Sequence, residues 1–316
     1  MTPVVTAIVS TYASERFIRG CIDDLVAQTI FHQLEILVID SGSPENESLI
    51  VNEYVKLYPE NIRLIRTERE PLYVTWNRAI GLARGKYLTS ANTDDRHRHD
   101  AFEMLVEVLE SKPTVALAYA HQYISHSENE TFEECKRRIA ILRCWPSYTR
   151  TDLMMRCIVG SQPMWRKELH DEIGLFDTRY KIAADYDMWL RIATHYDLTR
   201  LDKVCGVFYD SPDTISGSSN RSAVNHETIS IQTHYVNLKP WSDITNIRRK
   251  LSREIYGRGY QHINGDKDVT VAAPIILQAI KLDPLNLSYI KTYIIRCIFC
   301  RAIHFGKRKL SSLLNE

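Results

Sequence analysis

The feature that most constrains this chain is an alternation of two periodicities. Short β-branched apolar runs are followed, again and again, by stretches with apolar residues at helical spacing. Residues 4–10 read as a buried strand. Ser14 stands where it can cap a helix running to about Gln28, with Phe17, Ile18, Cys21, Ile22 and Leu25 on one face. Residues 34–40 form a second predicted strand, broken by Ser41-Gly42-Ser43-Pro44, and a helix follows to about Tyr58. Residues 62–66, a helix over 73–83 stopped near Gly85, a strand over 86–90, a helix over 102–109 and a strand over 115–123 continue the series. Such alternation implies βαβ units: an α/β, Rossmann-like, mostly parallel sheet flanked by helices. With 316 residues the chain can hold one large domain of this kind and an appendage.

After about residue 125 the alternation fails. A charged stretch over 125–138 reads as a surface excursion, 160–165 as a further strand, 186–195 as a helix with Met188, Trp189 and Ile192 facing inward, and 198–208 as a strand. From Ala223 onward the pattern is all-helical, punctuated by Pro240, Gly257, Gly259, Gly265 and Pro284. The expected division is therefore 1–222 for the α/β domain and 223–316 for a helical C-terminal region. Residues 286–309 are apolar at helical spacing and studded with Lys291, Arg296, Arg301, Lys307, Arg308 and Lys309. A basic amphipathic helix suits an anionic membrane surface; the competing reading is a packing helix with solvated basic residues.

Composition removes several function classes. A net charge of +1 gives no overall field for a nucleic-acid partner. The first residues lack a basic stretch followed by an apolar run, and no long uncharged apolar span occurs, so neither a secretory signal nor a transmembrane helix is expected. Seven scattered cysteines suit free thiols in a reducing compartment. Cys297 and Cys300 form a C-x-x-C without a second pair, which reads as small buried side chains rather than a zinc site. The expected location is cytoplasmic, peripheral on the inner face of the plasma membrane where the tail docks.

Open parallel sheets bind ligands at the carboxyl ends of their strands, where the strand order reverses. The first strand is followed by Thr11, Tyr12 and Ser14, the second ends in Asp40 and Ser41, and the fourth leads to Asn92-Thr93-Asp94-Asp95. Each has a bland reading as a turn former or surface charge. Together they fit a sugar nucleotide. Its diphosphate leaves readily only when a hard cation such as manganese or magnesium neutralises the charge, and such cations prefer carboxylates, water and phosphate. Asp94, helped by Asp95 and Asn92, can supply those ligands; Asp40 can accept hydrogen bonds from the base and Tyr12 can stack on it. The acceptor hydroxyl needs a general base, and Asp185 and Asp187 both stand at a predicted helix start. The spacing alone does not choose between them.

These residues resemble family 2 of the inverting nucleotide-sugar glycosyltransferases, with the GT-A fold, over roughly residues 3–216. The run from Val5 to Thr11-Tyr12 with Phe17, Ile18, Cys21, Ile22, Leu25 and Gln28-Thr29 is similar to the family's opening strand and helix, and residues 35–43 to its second strand and base-binding Asp. Asn77 with Ala83-Arg84-Gly85-Lys86-Tyr87-Leu88 is similar to the lead-in to its metal motif, and Asn92-Thr93-Asp94-Asp95 occupies the D-x-D-D place. Gly174-Leu175-Phe176-Asp177 and the run from Asp185 to Arg191 resemble the segment carrying the catalytic base, which falls on Asp185. The resemblance implies a nucleotide-diphosphate donor, preferably a UDP-sugar, bound by Thr11, Tyr12, Ser14, Asp40, Ser41, Asn77, Asn92 and Asp94. It implies a divalent metal held by Asp94 and Asp95, and inversion by direct displacement. It also implies a glycan or lipid-linked glycan acceptor, in bacterial cell-surface polysaccharide or lipopolysaccharide synthesis.

Three positions depart from the pattern. Asn92 stands where an Asp is usual, although many members lack that first acid. Ala184 precedes Asp185 where an acid is common. Ser211 stands where His is frequent. His97 and His99, just beyond the acidic motif, could substitute for that His, against a reading as residues of a solvated loop. Acceptor contacts are expected from the segment around Trp145 and Tyr148 and from the helical tail. Two competing functions share this kind of fold. A nucleotidyltransferase would carry a Gly- and Arg-rich loop after the first strand, where this chain has Ser10-Thr11-Tyr12-Ala13-Ser14. A non-catalytic binding or scaffold protein of the same fold is motivated by the three departures and opposed by Asp40, Asp94, Asp95 and Asp185.

Overall fold

The computed structural model describes residues 2–214, 217–265 and 268–299. Nine strands form one sheet: β1 (Val5–Thr11), β2 (Leu34–Asp40), β3 (Ile62–Arg66), β4 (Tyr87–Ser90), β5 (Arg96–His97), β6 (Val115–Ser125), β7 (Ile141–Arg143), β8 (Met164–Arg166) and β9 (Asp197–Tyr209). Their order is β3-β2-β1-β4-β8-β6-β9-β5, with β7 paired to β6. β1 pairs in parallel with both β2 and β4, and β2 with β3. The chain thus builds outward from β1 to β3, returns, and adds β4 on the other side of β1. That reversal creates the crevice in which a doubly wound sheet binds ligands. Beyond β4 the sheet is mixed, because β8 runs antiparallel to both β4 and β6.

Helices α1 (Glu15–Val26), α2 (Glu47–Leu57), α3 (Leu72–Leu82) and α4 (Ala101–Ser111) connect the first strands. Strand alternation sends Val5, Ala7, Val9, Ile36 and Val38 to one face, where they pack with Ile18, Ile22, Leu25, Val51, Phe102 and Leu105. The other face carries Thr6, Ser10 and Glu35. Glu35 is fully buried and accepts from Thr6 Oγ1 at 2.6 Å, Arg63 Nη1 at 2.7 Å, and the backbone and Nε of Arg84 at 2.8 and 2.7 Å. Burial works against its charge, yet these donors outweigh it and hold the carboxyl below the usual range. The same knot fixes the turn before β4: a Cβ on Gly85 would lie 2.5 Å from Thr6 N.

The stretch over 125–138 is less of an excursion than its charge suggests. Thr131 and Glu134 form a capping box on α5 (Phe132–Arg137), which buries Phe132 and Cys135. The sequence T-x-x-E carried that signal. Helices α6 (Arg150–Met155) and α7 (Leu169–Ile173) and the two- and three-residue strands β5 and β7 are too short to show a period. α8 (Ala184–His195) starts two residues before its expected bound and buries Met188, Trp189 and Ile192. Ser14 precedes α1 but makes no side-chain cap bond, because its hydroxyl is engaged elsewhere.

The chain divides into two compact units, one running to Leu153 and over Cys157–Asn220, the other comprising Met154–Arg156 and the residues from Arg221 on. The second contains α9 (Arg221–Tyr235), α10 (Ile247–Asn264), α11 (Val269–Leu282) and α12 (Leu287–Thr292), followed by a further helical stretch, Tyr293–Phe299. Asp268 caps α11 by accepting from the backbone of Thr270 and Val271 at 2.9 and 3.2 Å. A Cβ on Gly259 would lie 2.7 Å from Ile276, so glycine permits the close approach of α10 and α11. Cys297 is buried with Ile263, Ala272 and Ile276, while its C-x-x-C companion Cys300 and the tail beyond it lie outside the described residues. Among the described residues no helix is long and apolar enough to cross a membrane.

Candidate functional site

The parallel register sets Thr11 beside Asp40 and Asp40 beside Arg66 at the carboxyl ends of the strands. The loops that follow are tied by a carboxylate that strand-end reasoning passed over. Glu47, in the first turn of α2, is fully buried; its Oε1 accepts from Ser14 N at 2.7 Å, Ser43 Oγ at 2.9 Å and Thr11 Oγ1 at 3.4 Å. Thr11 and Ser14 share a 2.7 Å hydroxyl contact, and Ala13 N donates to Ser43 Oγ at 3.0 Å. Ala13 sits at φ 50°, a conformation an L-residue adopts only when its surroundings impose it. Gly42 is required for two reasons: its φ is 62°, and a Cβ would lie 3.0 Å from Arg69 N.

Asp40 is buried and engaged inside the fold. Its Oδ1 accepts from Ser43 N at 2.8 Å, and its Oδ2 accepts from Ser48 Oγ and lies 3.5 Å from Arg66 Nε. Ser41 Oγ accepts from Glu70 N at 2.6 Å and donates to Glu70 O at 2.9 Å, which pins the segment after β3. Tyr12 is 42% exposed, and the Arg69 guanidinium lies 3.5 Å above its ring. An aromatic ring and a planar cation therefore face each other at the crevice. Arg69 was not singled out by sequence, since nothing in its neighbours marks it.

Asn92-Thr93-Asp94-Asp95 follows β4 as a turn closed by Asp95 N to Asn92 O at 3.2 Å. Asp95 is 1% exposed and accepts from Tyr209 N at 3.2 Å and Asn92 Nδ2 at 3.3 Å; Asp94 is half-buried. Burial, and then the neighbouring Asp94 charge, push Asp95 up to about 7, while burial raises Asp94. Among the described residues neither carboxylate forms an ion pair, and no three His, Cys, Asp or Glu side chains gather as a ready-made metal cluster. Two adjacent, desolvated carboxylates, with only the charge of Arg16 acting on Asp94 and no ion pair among the described residues, fit a hard divalent ion completed by water and phosphate. His97 is not a residue of a solvated loop. It is 4% exposed, edge-on to Phe102 at 5.4 Å, and burial lowers its pKa to about 4. His99 is exposed.

The geometry separates Asp185 from Asp187. Asp187 is 5% exposed and ion-paired to Arg191 Nε at 2.9 Å, and Arg191 also donates to the carbonyls of Ile173 and Leu175. Asp185 is half-buried in the first turn of α8, and its Oδ1 accepts from Tyr186 N at 2.8 Å and Tyr73 OH at 3.2 Å. Tyr73 begins α3, where Trp76 one turn on donates to Ser10 Oγ at 3.2 Å, so Asp185 stands at the same end of the sheet as Thr11. Asn77, expected among the donor-binding residues, has different partners. Its Nδ2 donates to Phe176 O at 2.8 Å and its Oδ1 accepts from Phe176 N at 2.9 Å. Both amide groups clamp the segment before α8, and Phe176 packs among Tyr73, Trp76, Trp165 and Trp189. Ser211 O accepts from Thr214 Oγ1 at 2.9 Å; Ile215 and Ser216 of that segment lie outside the described residues.

Against this geometry stands a match of residues 6–166 to glycosyl transferase family 2. The chain belongs to that family. A chondroitin synthase of Pasteurella multocida is 25% identical over 205 residues, 64% of this chain and 20% of the synthase. The chain thus spans only about a fifth of that longer enzyme's length. Among solved structures, S. aureus TarS in complex with UDP-GlcNAc aligns with a TM-score of 0.66 at 14% identity, covering 97% of this chain and 92% of that one. A mannosyltransferase from Pyrobaculum calidifontis in complex with GDP-Man and Mn2+ aligns with a TM-score of 0.59 at 17% identity, covering 95% and 88%. The fold is GT-A, as the family resemblance implies. The family 2 region includes Thr11, Asp40 and the Asn92–Asp95 turn and ends before Asp185, so Asp185 stands on its contacts with Tyr73 and Tyr186.

Proposed function

We propose that the chain is an inverting glycosyltransferase that moves a sugar from a nucleoside-diphosphate donor, a UDP-sugar, to a hydroxyl of a glycan or lipid-linked glycan in bacterial surface polysaccharide synthesis. The observation that carries this reading is the convergence, at one end of the sheet, of the Thr11–Asp40 crevice, the unpaired Asp94–Asp95 carboxylates and the Tyr73–Asp185 contact. Family membership, the UDP-GlcNAc complex of one structural neighbour and the polysaccharide product of the synthase relative support the donor and the pathway.

Tyr12 and Arg69 offer a stacking surface to the base, and the Thr11–Ser14 and Ser41–Ser43 loops line the nucleoside. Asp94 and Asp95, with Asn92 beside them, would hold a manganese or magnesium ion, whose chemistry when bound would be to neutralise charge on the leaving diphosphate. Asp185 takes the proton of the acceptor hydroxyl. The acceptor oxygen bonds to the anomeric carbon as the carbon–oxygen bond to the diphosphate breaks, and the nucleoside diphosphate leaves with that electron pair. Attack from the face opposite the leaving group inverts the centre. Tyr73, held protonated by burial and by the Asp185 charge, fixes the orientation of the Asp185 carboxylate.

Purified wild type is expected to hydrolyse or transfer from a UDP-sugar, and Asp185→Ala to lose that activity. Wild-type turnover no greater than that of Asp185→Ala would favour a non-catalytic donor-binding or scaffold role. Peripheral membrane docking through the C-terminal helix is proposed as well, on the exposed Ile294, Ile295 and Ile298 beside Lys291 and Arg296. Deletion of residues 286–316 should release the protein from anionic vesicles with donor binding intact; equal vesicle binding by the truncated form contradicts it.

A further inference from the structure

Trp145 follows β7 in a loop without regular structure, and every polar group it has is fixed. Its backbone N–H donates to His121 Nδ1 at 3.1 Å, its carbonyl accepts from Arg200 Nη1 at 2.8 Å, and its indole N–H donates to Gln122 Oε1 at 3.2 Å. His121 Nε2 lies 3.0 Å from Asp202 Oδ1, so the ring proton belongs on Nε2 and Nδ1 is the acceptor that Trp145 requires. His121 and Gln122 sit on β6, both buried, so the loop is anchored to the sheet rather than to other loops.

The same Gln122 reaches toward the acidic turn. Its Nε2 donates to Ser161 Oγ at 2.6 Å, and the Ser161 carbonyl accepts from Oγ of Ser90, the last residue of β4 before the acidic turn, at 3.1 Å. A chain of hydrogen bonds therefore runs from the indole through Gln122 and Ser161 to the end of β4, where the acidic turn begins. Gly160 forms the floor of this bridge: a Cβ there would lie 2.5 Å from Gln122 Oε1 and 2.9 Å from Trp145 Nε1. The indole is half-buried, with the Arg143 guanidinium 5.7 Å from the ring. Tyr148, the other aromatic of this segment, offers less, because its hydroxyl oxygen is buried.

We infer that Trp145 is the platform on which a pyranose ring of the acceptor stacks beside the reacting centre. With its N–H committed to Gln122, what the indole presents to a ligand is its apolar face. A rigid aromatic next to a few oriented polar groups is how a saccharide's apolar face is recognised. The link through Gln122 and Ser161 fixes the distance between that platform and the acidic turn, so a stacked acceptor is held in register with the donor. This rests on the donor reading of the Asp94–Asp95 turn.

The test uses the full chain with UDP and manganese, titrated with methyl glycosides of glucose, galactose, N-acetylglucosamine, N-acetylgalactosamine and glucuronic acid. Nitrogen-15 spectra resolve the indole signals, with Trp145→Phe assigning its own. The expected result is that at least one glycoside moves the Trp145 signal, and that Trp145→Leu weakens its binding about tenfold while Trp145→Phe largely retains it. UDP affinity should stay within about twofold in both variants, since neither loses a donor contact. A Trp145 signal unmoved by every glycoside while UDP binds overturns the proposal, as does equal glycoside binding by the Leu and Phe variants, which would mark a packing role. Failure of wild type to bind UDP removes the donor reading itself, and this inference with it.

Discussion

Tyr73 OH lies 3.2 Å from Asp185 Oδ1 and 2.8 Å from the carbonyl of Ile182, a single hydroxyl bridging the carboxylate and the loop just before its helix. One proton serves two acceptors, so the phenol positions Asp185 without neutralising it. Replacing Tyr73 by Phe keeps the ring stacked on Phe176 at 5.7 Å and removes only the hydroxyl. The expected outcome is a fall in kcat of about tenfold with donor KM unchanged, against a loss of about a hundredfold to ten-thousandfold for Asp185→Asn. Steady-state kinetics of both variants check this; a Tyr73→Phe enzyme that loses donor affinity instead would place the hydroxyl elsewhere in the cycle.

Glu47 gives a second prediction with the opposite kinetic signature. Its carboxylate joins the loops after β1 and β2 through Ser14 N and Ser43 Oγ, and it has no contact with Asp185. Glu47→Gln places an amide N–H among groups arranged around an anion, at a cost of about 1–3 kcal/mol in the ordering of these loops. Donor KM should rise about tenfold and kcat change little. Donor titration against initial rate reads the split directly.

Glu35 gives a pH prediction remote from the site. Its carboxyl titrates below the usual range in the folded chain because Thr6, Arg63 and Arg84 donate to it. The unfolded chain therefore takes up its proton first as pH falls. The stabilisation is complete above the ordinary carboxylate pKa and disappears as pH drops through the lowered folded value. Glu35→Gln should cost about 1–3 kcal/mol at neutral pH, moderated because Arg63 and Arg84 are partly solvated, and the gap to wild type should narrow toward strong acid. Urea melts at several pH values measure it; a gap that widens in acid contradicts the assignment.

Much of the fold could be read from the sequence, because the decisive signals were local. The runs 34–40 and 62–66 coincide with β2 and β3, since a short run rich in Leu, Ile and Val bounded by Ser-Gly or Asn leaves a strand little latitude. The short strands β5 and β7 and the turn-length helices carry no period, and only tertiary pairing makes them. At the candidate site, residues at strand ends were visible because strand ends are visible. Glu47 was not, because a carboxylate opening a helix is an ordinary cap in sequence and becomes a buried tie only when two loops close over it. Asn77 was drawn to the donor by resemblance, whereas its partner Phe176 is far along the chain, a pairing that no spacing rule reports.

The measurement that tests the central claim most directly is calorimetric titration of UDP, GDP and thymidine diphosphate into wild type and Asp94→Ala, with and without manganese. The account predicts that UDP binds wild type in a manganese-dependent way and that Asp94→Ala abolishes the metal dependence. Absence of nucleotide binding by folded wild type, or equal metal dependence in Asp94→Ala, would contradict it.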